Sequence, residues 1–455
     1  MSGGEVERLS RLRDGVHMVA SESGDVALVA WPRAEKLGRL TSSQRAVLPE
    51  LSADRSIERL TELCPLDQVT DLTARLRGGG WLVDTVMCDG RVWFTVEPLR
   101  PRGTAKPAEP PRLSRFAAIR RDGSEILVES PVAASLIRLH DHRLVETVLT
   151  AGSARDGLPP EAAGILVAEL ANGGFLATEA ETGELSGAQW SPHELAFHHG
   201  SRRRPDHRMG ADFGGTYWAR GLFDAPSGRH PGWTSDSVVL PRPDLAQLRR
   251  NDPSLARVME DRHTCRSYAD SDPLTLEELG EFLYRTARVR SVGTDHGLEI
   301  TNRPYPAGGA AYELELYPLV HRVRGLDPAL YHYDPYDHRL HRVPATPTAR
   351  HWLMTSAIEG MTGNATPDVL LVIATRFGRL AWKYQAIGYA LTLKHVGVLQ
   401  QSMYLAATAM RLAPCALGVG DPQAFAAATG LDPLVETSVG EFALGRPVAA
   451  VRSTE

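Results

Sequence analysis

The sequence predicts an α+β protein: a large C-terminal domain of alternating helices and strands, preceded by two copies of a smaller unit. Three observations carry that expectation. Residues 99–113, LRPRGTAKPAEPPRL, are rich in proline and basic residues and read as a linker. The segments flanking it share a signature, since Leu72-x-x-x-Leu76-x-x-Gly79-Gly80-Trp81-Leu82 matches Leu166-x-x-x-Leu170-x-x-Gly173-Gly174-Phe175-Leu176. From Asp244 onward, helical periodicity alternates with apolar strand patterns.

The repeats come first. Trp31-Pro32 followed by Arg39-Leu40-Thr41 matches Ser130-Pro131 followed by Arg138-Leu139-His140. Each copy, of about 75 residues, runs strand, helix, helix, and a helix ending at Gly-Gly before a hydrophobic strand. That order is the pattern of a winged helix-turn-helix. The candidate recognition helices, Gln68–Arg77 and Pro160–Asn172, form no basic stripe, and EAAGILVAELANGG has no Lys or Arg. Without phosphate contacts a duplex-binding helix has little affinity, so peptide binding or dimerisation fits better. The expected boundaries are 1–98 and 114–185 for the two winged-helix-like repeats, 99–113 for the linker and 186–455 for the last domain.

Between Ser191 and about Pro243 the chain reads as a long irregular connection. His193, His198, His199 and His207 fall here, at spacings that match no metal-ligand pattern, so no metal is expected. Beyond it PDLAQLRR and LTLEELGEFLYRTARV read as helices, YELELYPLVHRV as an alternating strand and PDVLLVIATRF as a buried strand. Val396, Leu399, Met403, Ala406 and Met410 place a helix over about Leu391–Met410.

Composition narrows the function. The 455 residues exceed one ordinary domain, and a hydrophobic share of 43% is that of a globular chain. A net charge of −5 argues against a nucleic-acid binder. Cys64, Cys88, Cys265 and Cys415 are scattered, as expected of reduced cytosolic thiols. The N-terminal MSGGEVERLSRLRDG lacks the apolar core of a signal peptide, and no apolar run is long enough to span a bilayer. A cytoplasmic protein without membrane or nucleic-acid partners is expected.

Four clusters carry chemistry. Arg262, Thr264 and Arg266 form a compact anion-binding group or a solvated basic turn. Arg303–Glu313, RPYPAGGAAYE, combines stiff prolines with glycines that let something flat approach, although a tight turn is the plain alternative. Leu417-Gly418-Val419-Gly420 follows the long helix and is too sparse for a nucleotide motif. Arg446 ends a strand at Gly-Arg-Pro, either exposed or completing an anion site.

In this order the clusters resemble the flavin-dependent azoline dehydrogenases (SagB-type) of thiazole/oxazole-modified peptide and thiopeptide biosynthesis, within the nitroreductase superfamily. The likeness extends to Tyr331–Pro335, YHYDP, to GGTYW and to the doubled N-terminal unit. It implies a nitroreductase-like FMN domain behind the two winged-helix-like repeats. Arg262, Thr264 and Arg266, joined by Arg446, would hold the FMN phosphate and ribityl chain. Pro306, Ala307, Gly308 and Gly309 would lie against the isoalloxazine ring, contributed by the partner subunit of a homodimer. Gln401 and the backbone of Leu417, Gly418, Val419 and Gly420 would complete the ring site. The chain departs from the family's usual pattern at Thr264 (commonly Ser), at Tyr305 and Ala307, and at Asp421, where a small residue is frequent.

Azoline dehydrogenases similarly carry a Lys-Tyr pair where this chain has Lys383-Tyr384. Oxidising a thiazoline or oxazoline to the azole removes a hydride and a proton, and Lys383 is expected to be the general base with Tyr384 orienting it. That role requires burial or a neighbour to lower the amine's pKa. The plain alternative is a surface lysine after a strand. The implied partners are an azoline-containing precursor peptide and a cyclodehydratase complex. Two other readings stay open: an NAD(P)H-dependent nitro or quinone reductase, and a winged-helix scaffold without catalysis.

Overall fold

The computed structural model describes residues 5–21, 25–30, 33–103, 106–152, 158–202, 214–233, 236–362 and 365–448. Trp31, Pro32 and His207 lie outside the described residues. The chain forms two compact units, Met1–Ala211 and Asp212–Glu455.

In the first unit, β1 (Val6–Leu12) precedes an antiparallel sheet of β2 (His17–Ala20), β3 (Asp25–Ala30) and β4 (Arg33–Arg39). Then come α1 (Ser42–Glu50), β5 (Arg55–Ser56), α2 (Ile57–Thr61), α3 (Leu66–Gly78), β6 (Leu82–Cys88) and β7 (Arg91–Pro98). The second copy runs β8 (Ala118–Asp122), β9 (Glu125–Glu129), β10 (Ser135–Leu139), α4 (Leu144–Thr150) and α5 (Pro160–Gly173). Short helices α6 (Ala180–Gly183), α7 (Leu185–Ala188) and α8 (Pro192–Gly200) follow.

The shared signature has a packing basis. Leu72, Leu76 and Trp81 pack with Leu28 and Val47 in one core, and Leu166, Leu170 and Phe175 pack with Phe94 and Ile137 in the other. Gly80 has φ +70°, and a Cβ there would lie 2.6 Å from the Arg100 carbonyl oxygen, so only glycine fits. The copies differ after the glycines. Copy one continues into β6 as expected, whereas copy two makes a single antiparallel bridge, Leu176 with Leu113.

The stretch 99–113 is no free tether. The amides of Leu99 and Arg100 donate to Ala134, that of Arg102 to Gly78, and that of Ala108 to Ala177. Strand β7 pairs with β10, so both copies share one sheet of order β5-β1-β6-β7-β10-β9-β8. Proline removes its own donor only, and the residues between prolines still pair. A buried ion network ties the same parts together. Asp84 takes Arg8 and Arg77 at 2.6 Å each, and Glu169 on α5 takes Arg8 at 2.5 Å and also pairs with Arg102. Beyond the expected boundary at residue 186, α8 opens with a capping box between Ser191 and Glu194 and belongs to the first compact unit.

The second unit is built on an antiparallel sheet of order β12-β17-β16-β15-β18-β21-β20. Its strands are β12 (Ser237–Val239), β15 (Leu314–Val320), β16 (Leu330–Asp334), β17 (Arg339–Val343), β18 (Val369–Arg376), β20 (Ala413–Leu417) and β21 (Glu436–Gly445). Two small pairs lie outside it: β11 (Gly214–Gly215) with β19 (Tyr384–Gln385), and the hairpin β13 (Ser291–Asp295) with β14 (Leu298–Asn302). Helices are α9 (Leu245–Asn251), α10 (Leu255–Asp261), α11 (Leu276–Ala287), α12 (Pro347–Gly360), α13 (Phe377–Ala381), α14 (Gly388–Ala409) and α15 (Pro422–Thr429).

Both faces of the sheet are covered. Phe282 and Leu283 of α11 and Leu399 and Met403 of α14 pack on Leu316, Ile373 and Phe442. On the other face, Leu353 of α12 and Phe425 of α15 pack on Tyr317, Val372 and Ala443. That is why all seven residues of β15 are buried, although its sequence alternates. Among the described residues no helix is long and apolar enough to cross a membrane.

Candidate active site

Strand β18 runs into α13, and the chain emerges at Trp382-Lys383-Tyr384. Pairing of β19 with β11 and a hydrogen bond from Tyr217 N–H to the Lys383 carbonyl (3.0 Å) bring the GGTYW segment alongside. Lys383 is therefore not a surface residue: it is only 7% exposed. Its Nζ donates to Asp295 Oδ2 at 2.8 Å, and the same oxygen accepts from the Tyr217 hydroxyl at 2.8 Å. Nζ also lies 4.9 Å from the Tyr217 ring centroid and 5.7 Å from that of Tyr384.

This corrects the expectation of a depressed amine. Burial does push the Lys383 pKa down, but Asp295 and Tyr217 outweigh it, and the amine is held above its ordinary value. The hydrogen bonds from Lys383 and then Tyr217 hold the Asp295 carboxyl below its usual range. Burial raises the Tyr384 phenol, with Lys383 opposing.

The PYPAGGA segment reaches the same place within one chain. Gly309 has φ +59°, and a Cβ on it would lie 2.6 Å from both Lys383 Nζ and the Tyr384 hydroxyl. The Gly308 amide donates to His395 Nε2 at 2.7 Å, and His395 Nδ1 lies 2.7 Å from Glu313 Oε1. With Nε2 accepting, the ring proton resides on Nδ1 and points at Glu313. Pro306 and Gly309 are exposed and Ala307 is half-buried, whereas Tyr305 is buried and accepts at its carbonyl from the Tyr312 hydroxyl at 2.6 Å. The departure at Tyr305 is thus a packing residue beneath the loop.

A second group forms around Tyr404, nine residues along α14 from His395, or about 14 Å by helix rise. Thr264 Oγ1 lies 2.9 Å from the Tyr404 hydroxyl, which accepts from the Ala416 amide at 2.9 Å. The Arg262 guanidinium sits 5.3 Å over the Tyr404 ring, Arg266 is exposed, and the Cys265 amide donates to the Pro414 carbonyl at 2.8 Å. The first and third sequence clusters therefore meet, and Leu417–Gly420 continues from β20 beside them. Leu417 is buried, and Gly418, Val419 and Gly420 are exposed. Asp421 caps α15 by accepting from the Gln423 and Ala424 amides at 2.9 Å, which accounts for that departure.

Two expected residues stand apart. Gln401 is exposed and makes no hydrogen bond among the described residues, whereas Gln400 donates to the Glu441 carbonyl at 3.2 Å. One helical position is a rotation of about 100°, enough to exchange the two faces. Arg446 is committed to Glu278 at 2.7 Å and Asp272 at 3.3 Å. The site also has members that the sequence did not single out, Asp295, His395, Tyr404 and Glu441, and Glu313 at the end of the second cluster joins them. Glu441 is 5% exposed, its carboxyl lies against Gly420, and burial followed by Asp421 raises it to about 7.

The model of the nitroreductase family matches residues 259–446, and that of the cyanobactin oxidase ThcOx matches residues 111–207. A putative nitroreductase of Methanocaldococcus jannaschii is 30% identical over 183 residues, covering 40% of this chain and 85% of that protein. A putative nitroreductase structure from Ralstonia eutropha is 22% identical, covers 50% of this chain and 96% of its own, and has a TM-score of 0.38. The Escherichia coli microcin synthetase McbBCD complex with truncated pro-microcin B17 is 20% identical, covering 48% of this chain and 77% of that one at a TM-score of 0.36.

Proposed function

The chain belongs to the nitroreductase family, and from that premise we propose that it is an FMN-dependent dehydrogenase oxidising thiazoline or oxazoline rings of a ribosomally made peptide to azoles. The observation that carries the reading is the buried Lys383 packed with Tyr384 against the bare backbone of Gly309. A proton-handling amine beside a glycine face suits removal of a ring proton more than simple reduction of a nitro group. The cyanobactin oxidase match over residues 111–207 supports a peptide substrate.

The residues fit FMN. Arg262 and Arg266 have no carboxylate partner among the described residues, and Gly418 has open space where a Cβ would lie. Arg262, Thr264 and Arg266 would hold the phosphate and ribityl chain, and Gly418–Gly420 with Pro306–Gly309 would line the ring. FMN supplies the acceptor for the hydride leaving the azoline ring. Lys383 takes the proton from the neighbouring ring carbon, Tyr384 orients the amine, and His395, held by Glu313, fixes the Gly308–Gly309 backbone.

A homodimer places the exposed face of α14, with Leu393 and Val398, against a second copy. The first unit, with its two winged-helix-like repeats, grips the precursor peptide or a cyclodehydratase partner. The second reading, an NAD(P)H-dependent reductase, draws on the putative nitroreductase relative. The test pairs the visible spectrum with azoline oxidation by wild type and Lys383→Ala. Flavin bands in both, with oxidation lost in the variant and no bleaching by NADPH, support the dehydrogenase. A wild type that cannot take up FMN overturns it, and rapid bleaching by NADPH favours the reductase.

A further inference from the structure

The carboxylate on Lys383 comes from an unusual place. Asp295 ends β13, and the turn His296-Gly297 (φ +49° and +88°) leads into β14. This hairpin pairs with no other strand among the described residues, and four of the five residues of β13 are exposed. Its second strand is anchored, because Leu298 is fully buried with Leu380 and Trp382, whereas the Asp295 side chain at the tip is 33% exposed and can turn towards solvent. That tip provides the single carboxylate within ion-pair reach of Lys383 among the described residues.

Other groups face the amine from each side. His296 shares the hairpin tip, with its Nε2 3.8 Å from Asp295 Oδ1, its ring 4.4 Å from that of Tyr217, and Arg220 behind it at 3.2 Å. Tyr217 faces Lys383 from the loop after β11, Tyr384 from β19, and Gly309 through its backbone. His395 and Glu313 stand one residue further back, behind Gly308. None of these except Asp295 can neutralise an ammonium in contact with it.

Resting on the dehydrogenase reading, we propose that Asp295 is a releasable clamp on Lys383: the hairpin tip holds the amine while the site is empty, and an azoline ring entering beside Gly309 displaces it. On release the ammonium, no longer held by a carboxylate, gives its proton to solvent water, leaving a neutral amine beside the seated ring while Asp295 stays ionised. The ring C–H bond then breaks, its proton forms the new N–H bond on Lys383, and its electron pair becomes the second bond of the ring carbon pair. The hydride from the adjacent carbon leaves to the flavin, the oxidant of the proposed function. Asp295 is thus a positioning residue, acting through Lys383. The design keeps a reactive amine inert until substrate is seated.

Asp295→Asn tests the clamp with two readouts. The chain has four lysines, Lys36, Lys106, Lys383 and Lys394, so competitive acetylation with acetic anhydride across pH resolves Lys383 by mass spectrometry against three internal references. At pH 8 the labelling of Lys383 should rise severalfold in the variant, because removing the carboxylate lowers the amine's pKa and enlarges its neutral fraction. In pH–rate profiles the rising limb of kcat/KM, which reports free enzyme, should move to lower pH, while that of kcat, which reports the substrate complex, should stay. Asp295→Glu, which keeps the charge, should restore wild-type labelling and guards against a variant that misfolds. Unchanged Lys383 labelling in Asp295→Asn overturns the clamp, as does an equal shift of both limbs, since Asp295 would then remain on Lys383 throughout turnover. If the wild type oxidises no azoline, the function fails while the labelling still decides whether Asp295 controls the amine.

Discussion

Replacing Glu441 by Gln should make the second unit more stable at neutral pH and leave it unchanged in mild acid. Glu441 sits on β21 opposite Leu417, its carboxyl wedged against Gly420 and facing Asp421, with no side-chain hydrogen bond among the described residues. Burial, then Asp421, lifts it from the usual 4.5 to about 7. A carboxyl whose folded pKa is raised binds its proton more tightly in the folded state. Stability is therefore full below the unfolded value, declines as pH rises from 4.5 to 7, and stays low above that. At 1.36 kcal/mol per unit, the lift corresponds to about 3 kcal/mol of destabilisation once Glu441 is ionised. Gln keeps the shape without the charge, so the variant should gain about 3 kcal/mol at pH 8 and nearly nothing at pH 4.5. Urea unfolding of the FMN-free chain, followed by hydrogen exchange of peptides spanning β20 and β21, reads the right unit. Wild type and variant running parallel from pH 5 to 8, within about 0.5 kcal/mol, would refute the reasoning.

The first unit should respond to acid with the opposite sign. Burial alone would raise Asp84, but Arg77 and Arg8 outweigh it and hold the carboxyl down at about 2. Its contribution is present above the ordinary carboxylate range and is lost as pH falls from about 4 towards 2. Asp84→Asn, which leaves Arg77 without a carboxylate and Arg8 with Glu169 alone, should cost about 3 kcal/mol and lower the melting temperature of this unit, as differential scanning calorimetry would show. Gly309→Ala must place a Cβ 2.6 Å from Lys383 Nζ at a positive φ. It should cost about 1–3 kcal/mol of strain and abolish azoline oxidation while the protein keeps its flavin absorbance. Retained turnover would show that the glycine face is not where the ring lies.

Much of this architecture is written locally. The buried run PDVLLVIATRF became β18, and the periodic apolar residues of α14 marked the helix that carries both His395 and Tyr404. The Gly-Gly-aromatic signature was legible because the apolar residues on either side of each glycine pair enter a core. Arg446 and Gln401 show the limit of such reading. A Gly-Arg-Pro strand end advertises an arginine, yet the carboxylates that claim it, Glu278 and Asp272, come from a distant part of the chain. Gln401 lies one position from Gln400, so it stands on the exposed side of α14 while its neighbour faces β21.

Asp295 was illegible for a deeper reason. In SVGTDHGLEI the aspartate looks like an ordinary turn residue beside His-Gly, and Asp is common there for its backbone hydrogen bonding. Only the fold sets it against a lysine 88 positions away. A general-base role needs the Lys383 pKa lowered, and burial does pull that way. A buried amine with no partner would, however, be an unpaired charge or a group forced neutral at all times. The carboxylate removes that cost in the resting state, and placing it at a hairpin tip rather than on the main sheet leaves it free to be exchanged for substrate. A base that must be buried to work and paired to be stable needs a partner that can leave, and in this chain a partly exposed carboxylate at a hairpin tip supplies it.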